Sequence, residues 1–292
     1  MTIVLFQVVA TANDPYDARD KILQYKPDVM TCDVEVPKMN GIEFIRRLLP
    51  QYCIPIIVVS SISANVFDAI RSRAVDFVAK PDISSVYGVE QFIIDMIEKV
   101  KIASKAKVQI PVSLNETVPV NSSSLDGTTA NTVIAMGAST GGTEAIFRIL
   151  KKNSSTNLTV KEAASGDYVQ PGTVLIAPCD QHMKLPKIGN RCKVEFFKGN
   201  KINGHCPSVD VLFESVAKVV DKDSIGIILT GMGYDGAKGL LAMKRKGART
   251  IGQDEKSSVV YGMPKVAYDL GAVDKQTSLE NIGNTLLKML KN

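Results

Sequence analysis

Short β-branched runs alternate with helix-patterned segments along almost the whole chain, and the alternation stops once, over residues 103–131. Parallel strands need crossover connections, and a helix is the usual one, so this rhythm demands β/α units stacked into a parallel sheet. Before the interruption, 28–34, 54–60 and 75–79 read as strands; 16–25, 41–49, 64–74 and 89–103 read as helices. The apolar opening, 1–12, reads as a further strand; its first basic residue is Arg19, whereas a secretory leader wants positive charge ahead of its apolar stretch. After the interruption, 132–138, 173–178, 224–231 and 249–253 read as strands. Helices are expected over 141–152, 208–220 with Ser208 as N-cap, 236–247 closed by Gly247, and 279–291. Residues 103–131 carry Pro, Ser, Thr and Asn without periodicity, which suits a flexible linker. The expected organisation is α/β, two doubly wound parallel-sheet domains at 1–102 and 132–292, joined by that linker.

Composition narrows the function classes. With 45% hydrophobic and 22% charged residues, the chain has enough apolar side chain for two cores. The net charge of +5 is mild and unclustered, and Trp is absent, so neither a phosphate-tracking stripe nor a stacking platform for nucleic acid is expected. No apolar run reaches the ~18 residues of a spanning helix, so no membrane insertion is expected. Cys32, Cys53, Cys179, Cys192 and Cys206 are odd in number and form no CxxC pair, which fits reduced thiols in the cytoplasm.

In parallel α/β sheets the strand C-termini face the ligand crevice. Asp33, Ser60 and Lys80 fall at three consecutive strand ends of the first domain. A carboxylate there can attack phosphorus, and a hydroxyl and an ammonium can hold the phosphoryl oxygens it would gain. In the second domain, Gly137-Ala138-Ser139-Thr140-Gly141-Gly142 lies between a strand and a helix and satisfies G-x-S-x-G. That pattern suits a nucleophile elbow, a phosphate cradle or a plain tight turn. Thr230-Gly231-Met232-Gly233-Tyr234-Asp235-Gly236 also follows a strand and opens a helix. Asp235 could orient a histidine for a serine nucleophile or cap a helix.

The stretch D-V-E-V-P-K-M-N-G from Asp33, with Ser60 and Lys80-Pro81, resembles response-regulator receiver domains over about 7–102. The resemblance implies Asp33 as phosphoacceptor, Ser60 as switch hydroxyl, Lys80 as the partner lysine, and Phe77 as the aromatic switch position. The two second-domain motifs, with 166–185, 205–217 and 240–274, resemble the catalytic domain of the CheB family of chemotaxis protein-glutamate methylesterases. That resemblance implies hydrolysis of glutamyl methyl esters on methyl-accepting chemotaxis receptors, with possible deamidation of glutamines. It implies Ser139 as nucleophile, Asp235 as triad acid, Thr140 and Met232 as neighbours, and no cofactor for the esterase. A chemotaxis histidine kinase would be the phosphodonor, and Mg²⁺ would sit at the receiver with Asp33 among its ligands.

Two departures accompany the resemblance. The receiver family holds its Mg²⁺ with an acidic pair after the first strand; here that strand runs straight into the second-strand segment, and Asp14 and Asp17 do not match the pair. The methylesterase family places its catalytic histidine in a β/α repeat after the nucleophile helix, and about thirty residues, the size of such a repeat, are missing after residue 155. The only two histidines, His182 and His205, match positions outside the triad; His182 is the one candidate for a replacement base. Three expectations follow: a working serine hydrolase, an impaired relative that binds receptors without turnover, or a chain that lacks a central strand and does not fold stably.

Overall fold

The computed structural model describes residues 6–60, 74–81, 86–104, 132–152, 158–178, 180–189 and 191–291. The chain divides into two compact units, Met1–Leu114 and Asn115–Asn292. Residues 105–131, most of the segment that reads as a linker, and most of the 64–74 helix lie outside the described residues.

The first unit is built from α1 (Pro15–Tyr25), β1 (Met30–Asp33), α2 (Gly41–Leu48), β2 (Ile56–Ser60), β3 (Asp76–Ala79) and α3 (Val86–Ala103). The strands form a parallel sheet in the order β1-β2-β3. Helix α1 starts where the Asp14 carboxylate accepts the N–H groups of Tyr16 and Asp17, with Pro15 fixing the first turn. Helix α2 starts where the Asn40 side chain accepts from Ile42 N–H. Ile45, Leu48, Ile56 and Val58 make the core beneath them. The opening apolar run does not form the expected strand over its described part: residues 6–12 carry no regular structure and Val8 is 79% exposed. A strand needs a hydrogen-bonding neighbour, and among the described residues none pairs with it.

The second unit carries β4 (Val133–Gly137), α4 (Gly142–Lys152), α5 (Val209–Val219), β11 (Ser224–Ile228), α6 (Ala237–Arg245), β12 (Arg249–Gln253), α7 (Met263–Asp269), β13 (Lys275–Thr277) and α8 (Leu279–Lys291). Its main sheet is parallel, in the order β13-β12-β11-β4. Strand β11 is buried throughout, and its side chains alternate between two helical layers. Ile225 and Ile227 join Ile149, Ile251 and Ile282 in the layer of α4 and α8. Ile228 joins Phe213, Leu240 and Met243 in the layer of α5, α6 and α7. Gly226 faces that second layer, and a Cβ there would stand 2.4 Å from Leu240 Cδ1, so glycine sets how closely α6 approaches. Helices on both faces of a parallel sheet give the α/β class expected from the alternation.

The remaining strands are β5 (Thr159–Glu162), β6 (Thr173–Ile176), β7 (His182–Lys184), β8 (Lys187–Ile188), β9 (Arg191–Cys192) and β10 (Glu195–Phe197). They make three two-stranded sheets, β5-β6, β7-β10 and β8-β9, outside the main sheet. Strand β4 is thus an edge strand of the main sheet among the described residues.

Candidate active site

The β4–β11 register puts Gly137 beside Ile228, so the loops that leave the two strands run side by side. The backbone N–H of Ser139 donates to Thr230 O at 3.0 Å, and the Thr230 hydroxyl donates to Thr140 O at 3.0 Å. A Cβ on Gly231 would meet Ser139 Cβ at 2.9 Å, so a side chain there would push the serine out of place. Gly141 takes φ +78° and packs against Val259, which completes the sharp turn into α4. Ser139 is half-buried at the start of that helix, Thr140 is buried, and Met232 is exposed on the neighbouring loop. Among the described residues nothing hydrogen-bonds the Ser139 hydroxyl.

Asp235 is 1% exposed and its carboxylate is fully engaged. It accepts from the Ser208 hydroxyl at 2.7 Å, Val209 N–H at 2.7 Å, Asn203 Nδ2 at 3.0 Å and Asp210 N–H at 3.3 Å. Asp235 therefore caps α5 from outside that helix. Ser208 sits at the N-cap position, as the sequence suggests, but its hydroxyl makes no cap bond and turns to Asp235 instead. Asp210, in the first turn of α5, returns the favour by accepting Gly239 N–H of α6 at 2.7 Å and Asn203 Nδ2 at 2.7 Å. Burial pushes the Asp210 carboxyl above its ordinary value, and the charge of Asp235 adds to this against the Gly239 hydrogen bond. Asn203 and Asp210 escape a motif search; the Asn-Gly turn at 203–204 and an acid in a first helical turn were their only signals.

His182 is completely buried. Its Nδ1 accepts from Ser208 N–H at 3.2 Å, so the ring proton sits on Nε2, which reaches Asn200 O at 3.0 Å. The ring also lies against Phe197, with centroids 5.2 Å apart. Both nitrogens are thus occupied by backbone. His205 donates from Nδ1 to Asn203 O at 2.9 Å. No hydrogen bond joins either histidine to Ser139.

In the first unit, Asp33, Ser60 and Lys80 come together as their strand ends predict. Lys80 Nζ lies 2.6 Å from Asp33 Oδ2 and 3.8 Å from Glu35, and the Lys80 backbone N–H donates to the Ser60 backbone carbonyl. Ser60 is buried and Phe77 is partly buried against the core. A Cβ on Gly41 would fall 2.0 Å from Asp33 O, which is why the loop after Asp33 must close with glycine. Mg²⁺ needs several oxygen ligands in near-octahedral order. Asp33 offers one carboxylate, with one oxygen on Lys80 and the other on Glu35 N–H at 3.0 Å. Asp14 is committed to the α1 cap and Lys38, and Asp17 to Lys21. Among the described residues no group of three or more His, Cys, Asp and Glu could hold a metal ion. These residues do not fit Mg²⁺.

Residues 152–286 match the family model of the CheB methylesterase, and residues 4–86 that of the response regulator receiver domain. A protein-glutamate methylesterase/protein-glutamine glutaminase of Syntrophomonas wolfei is 49% identical, over 97% of this chain and 90% of that protein. Proteins of the same description from Syntrophotalea carbinolica and Sulfurimonas denitrificans are each 42% identical over 97% of this chain, covering 90% and 91% of their own lengths. The three alignments run over 310, 318 and 321 residues, more than the 292 of this chain, so these relatives carry residues with no counterpart here. The crystal structure of the Thermotoga maritima CheB methylesterase catalytic domain is similar at TM-score 0.47 and 22% identity, over 89% of this chain and 96% of that one.

Proposed function

From the premise that the chain belongs to the CheB family of protein-glutamate methylesterases, with a receiver ahead of the methylesterase domain, we propose that Ser139 attacks glutamyl methyl esters of chemoreceptors and releases methanol. The observation that carries this reading is the Ser139 turn itself. Its hydroxyl is unengaged among the described residues, at the start of α4, with its backbone tied to the Thr230–Gly231 loop. The Ser139 oxygen bonds to the ester carbon, and N–H groups at the helix start stabilise the negative oxygen that develops. The serine proton passes through water to the departing methoxide, which leaves as methanol; water then cleaves the acyl-serine, restoring the Ser139 hydroxyl and giving the free glutamate. On a glutamine side chain the same steps would release ammonia.

Turnover is slow in this reading, because the serine proton has no imidazole to accept it. His182 is held by Ser208 and Asn200 and is a packing residue rather than a replacement base. Loss of the triad histidine lowers kcat by roughly 10⁶-fold and leaves a residual of about 10³–10⁴-fold above water. Asp235 serves as a cap for α5, and Thr140 and Met232 line the turn. The receptors remain the partners, in the cytoplasm, and a histidine kinase is the expected neighbour of the receiver.

The test is methanol release from a methyl-esterified receptor fragment by the intact chain, Ser139→Ala and His182→Gln. The expected result is a slow rate abolished in Ser139→Ala. In His182→Gln, whose amide can keep one backbone bond, that rate persists in the fraction that stays folded. Family-typical turnover lost in both variants would make His182 the base and overturn this assignment.

A further inference from the structure

The loop Met232-Gly233-Tyr234 carries two large apolar side chains in solvent, Met232 at 40% and Tyr234 at 51% exposure. Both its ends are fixed. On one side, Thr230 N–H donates to Gln253 Oε1 at 2.8 Å, and Gly231 exchanges backbone bonds with Val260, Gly262 and Met263. On the other, Asp235 is held by its four donors, and Tyr234 O accepts Ala237 N–H at 3.1 Å. A side chain on a freely moving loop would fold down onto nearby apolar surface; these two are held out, on the loop that follows Gly231, the residue packed against Ser139.

We propose that Tyr234, with Met232 beside it, is a specificity-determining contact for the polypeptide that carries the glutamyl ester. The inference rests on the esterase reading of Ser139 and deepens it. A glutamyl methyl ester side chain is small and buries little surface, so affinity for the substrate has to come from the chain around it. The loop begins at Gly231, which packs against Ser139, so it offers that chain a flank to rest on. A tyrosine with few rotamers to freeze, on a loop already ordered, loses little entropy on contact and gains the burial of its ring. The occupant is therefore an apolar stretch of the substrate protein flanking the modified glutamate.

The experiment measures binding of a fluorescent, methyl-esterified chemoreceptor cytoplasmic fragment to the full chain by anisotropy. Tyr234→Ser is expected to raise Kd about tenfold or more, with the thermal melt unchanged. Tyr234→Phe, which keeps the ring, is expected to stay within about twofold of the unaltered chain, because the contact is apolar. Tyr168→Ser, an exposed tyrosine outside the loop, is expected to bind as the unaltered chain does. Equal binding by Tyr234→Ser and the unaltered chain overturns the inference and leaves the esterase reading standing. No binding by the unaltered chain overturns the receptor-substrate reading and this inference with it.

Discussion

Asp210 and Asp235 put two buried carboxylates on one amide, that of Asn203, and each acid caps the helix that the other belongs to or precedes. The arrangement satisfies N–H groups that α5 and α6 would otherwise leave open, since Gly236 has no side chain to cap with. It also has a pH signature. Burial, with the charge of Asp235, raises the Asp210 value in the folded state. The folded chain then holds that proton more tightly than the unfolded one. Its contribution to stability is full at acid pH and disappears as pH rises through the raised folded value. Asp210→Asn keeps an acceptor for Gly239 N–H and removes the titration. The variant is therefore expected to gain on the unaltered chain as pH rises above the ordinary aspartate value of about 4. The partly buried carboxylates held low by lysines, Asp14, Asp17 and Asp167, impose the opposite slope on both proteins and cancel in the comparison. Urea melts of the second unit at several pH values check this; parallel stability curves would exclude it. Residues of this kind were the least legible in the sequence. Ser139, Asp33, Ser60 and Lys80 could be placed because strand ends face a crevice. The capping of α5 by Asp235 could not, because it depends on two segments far apart in sequence meeting in space. His182 shows the same limit: the sequence left it between a core position and a replacement base, and only the structure shows its two ring nitrogens bonded to the backbone of Asn200 and Ser208.

The elements themselves were legible where periodicity is strong. Helices α1, α2, α5 and α8 and strands β1, β2, β4 and β12 lie within a residue or two of their expected bounds. The short antiparallel strands between 182 and 197 and the seven-residue α7 were not, because two- and three-residue strands leave no period to read. Glycine positions carried a message that only packing reveals. At the α5–α6 crossing, a Cβ on Gly239 would sit 2.7 Å from Phe213 Cβ and 3.0 Å from Asp210 O. Phe213 is completely buried, so neither neighbour can yield cheaply. Gly239→Ala gains about 1 kcal/mol of helix propensity and loses about 2–3 kcal/mol to overpacking, for a net loss of about 1–2 kcal/mol. A calorimetric melt should show the second unit's transition several degrees lower; a midpoint at or above that of the unaltered chain would mean that α5 and α6 separate freely.

Each unit has its own core, the first around Ile45 and Ile56, the second around Phe213 and around Ile225. A receiver governs a neighbouring domain only if phosphorylation changes it, and that step needs positive charge to offset what builds up on the transferring group. Here Lys80 is the single cation paired with Asp33 among the described residues. One ammonium, already satisfied by Asp33 and close to Glu35, does not replace a divalent ion that binds acceptor and phosphoryl oxygens together. Incubation with acetyl phosphate and Mg²⁺ is therefore expected to leave the intact mass unchanged. The rate of methanol release should be the same with and without that treatment. A gain of one phosphoryl group that disappears in Asp33→Asn would show that the pocket assembles a cation site from residues beyond those described. If the mass stays fixed, the ion pair of Asp33 and Lys80 is the permanent state of the pocket. The second unit then works at one level, set by its own Ser139 loop and by the substrate chain that the Met232–Tyr234 loop can hold.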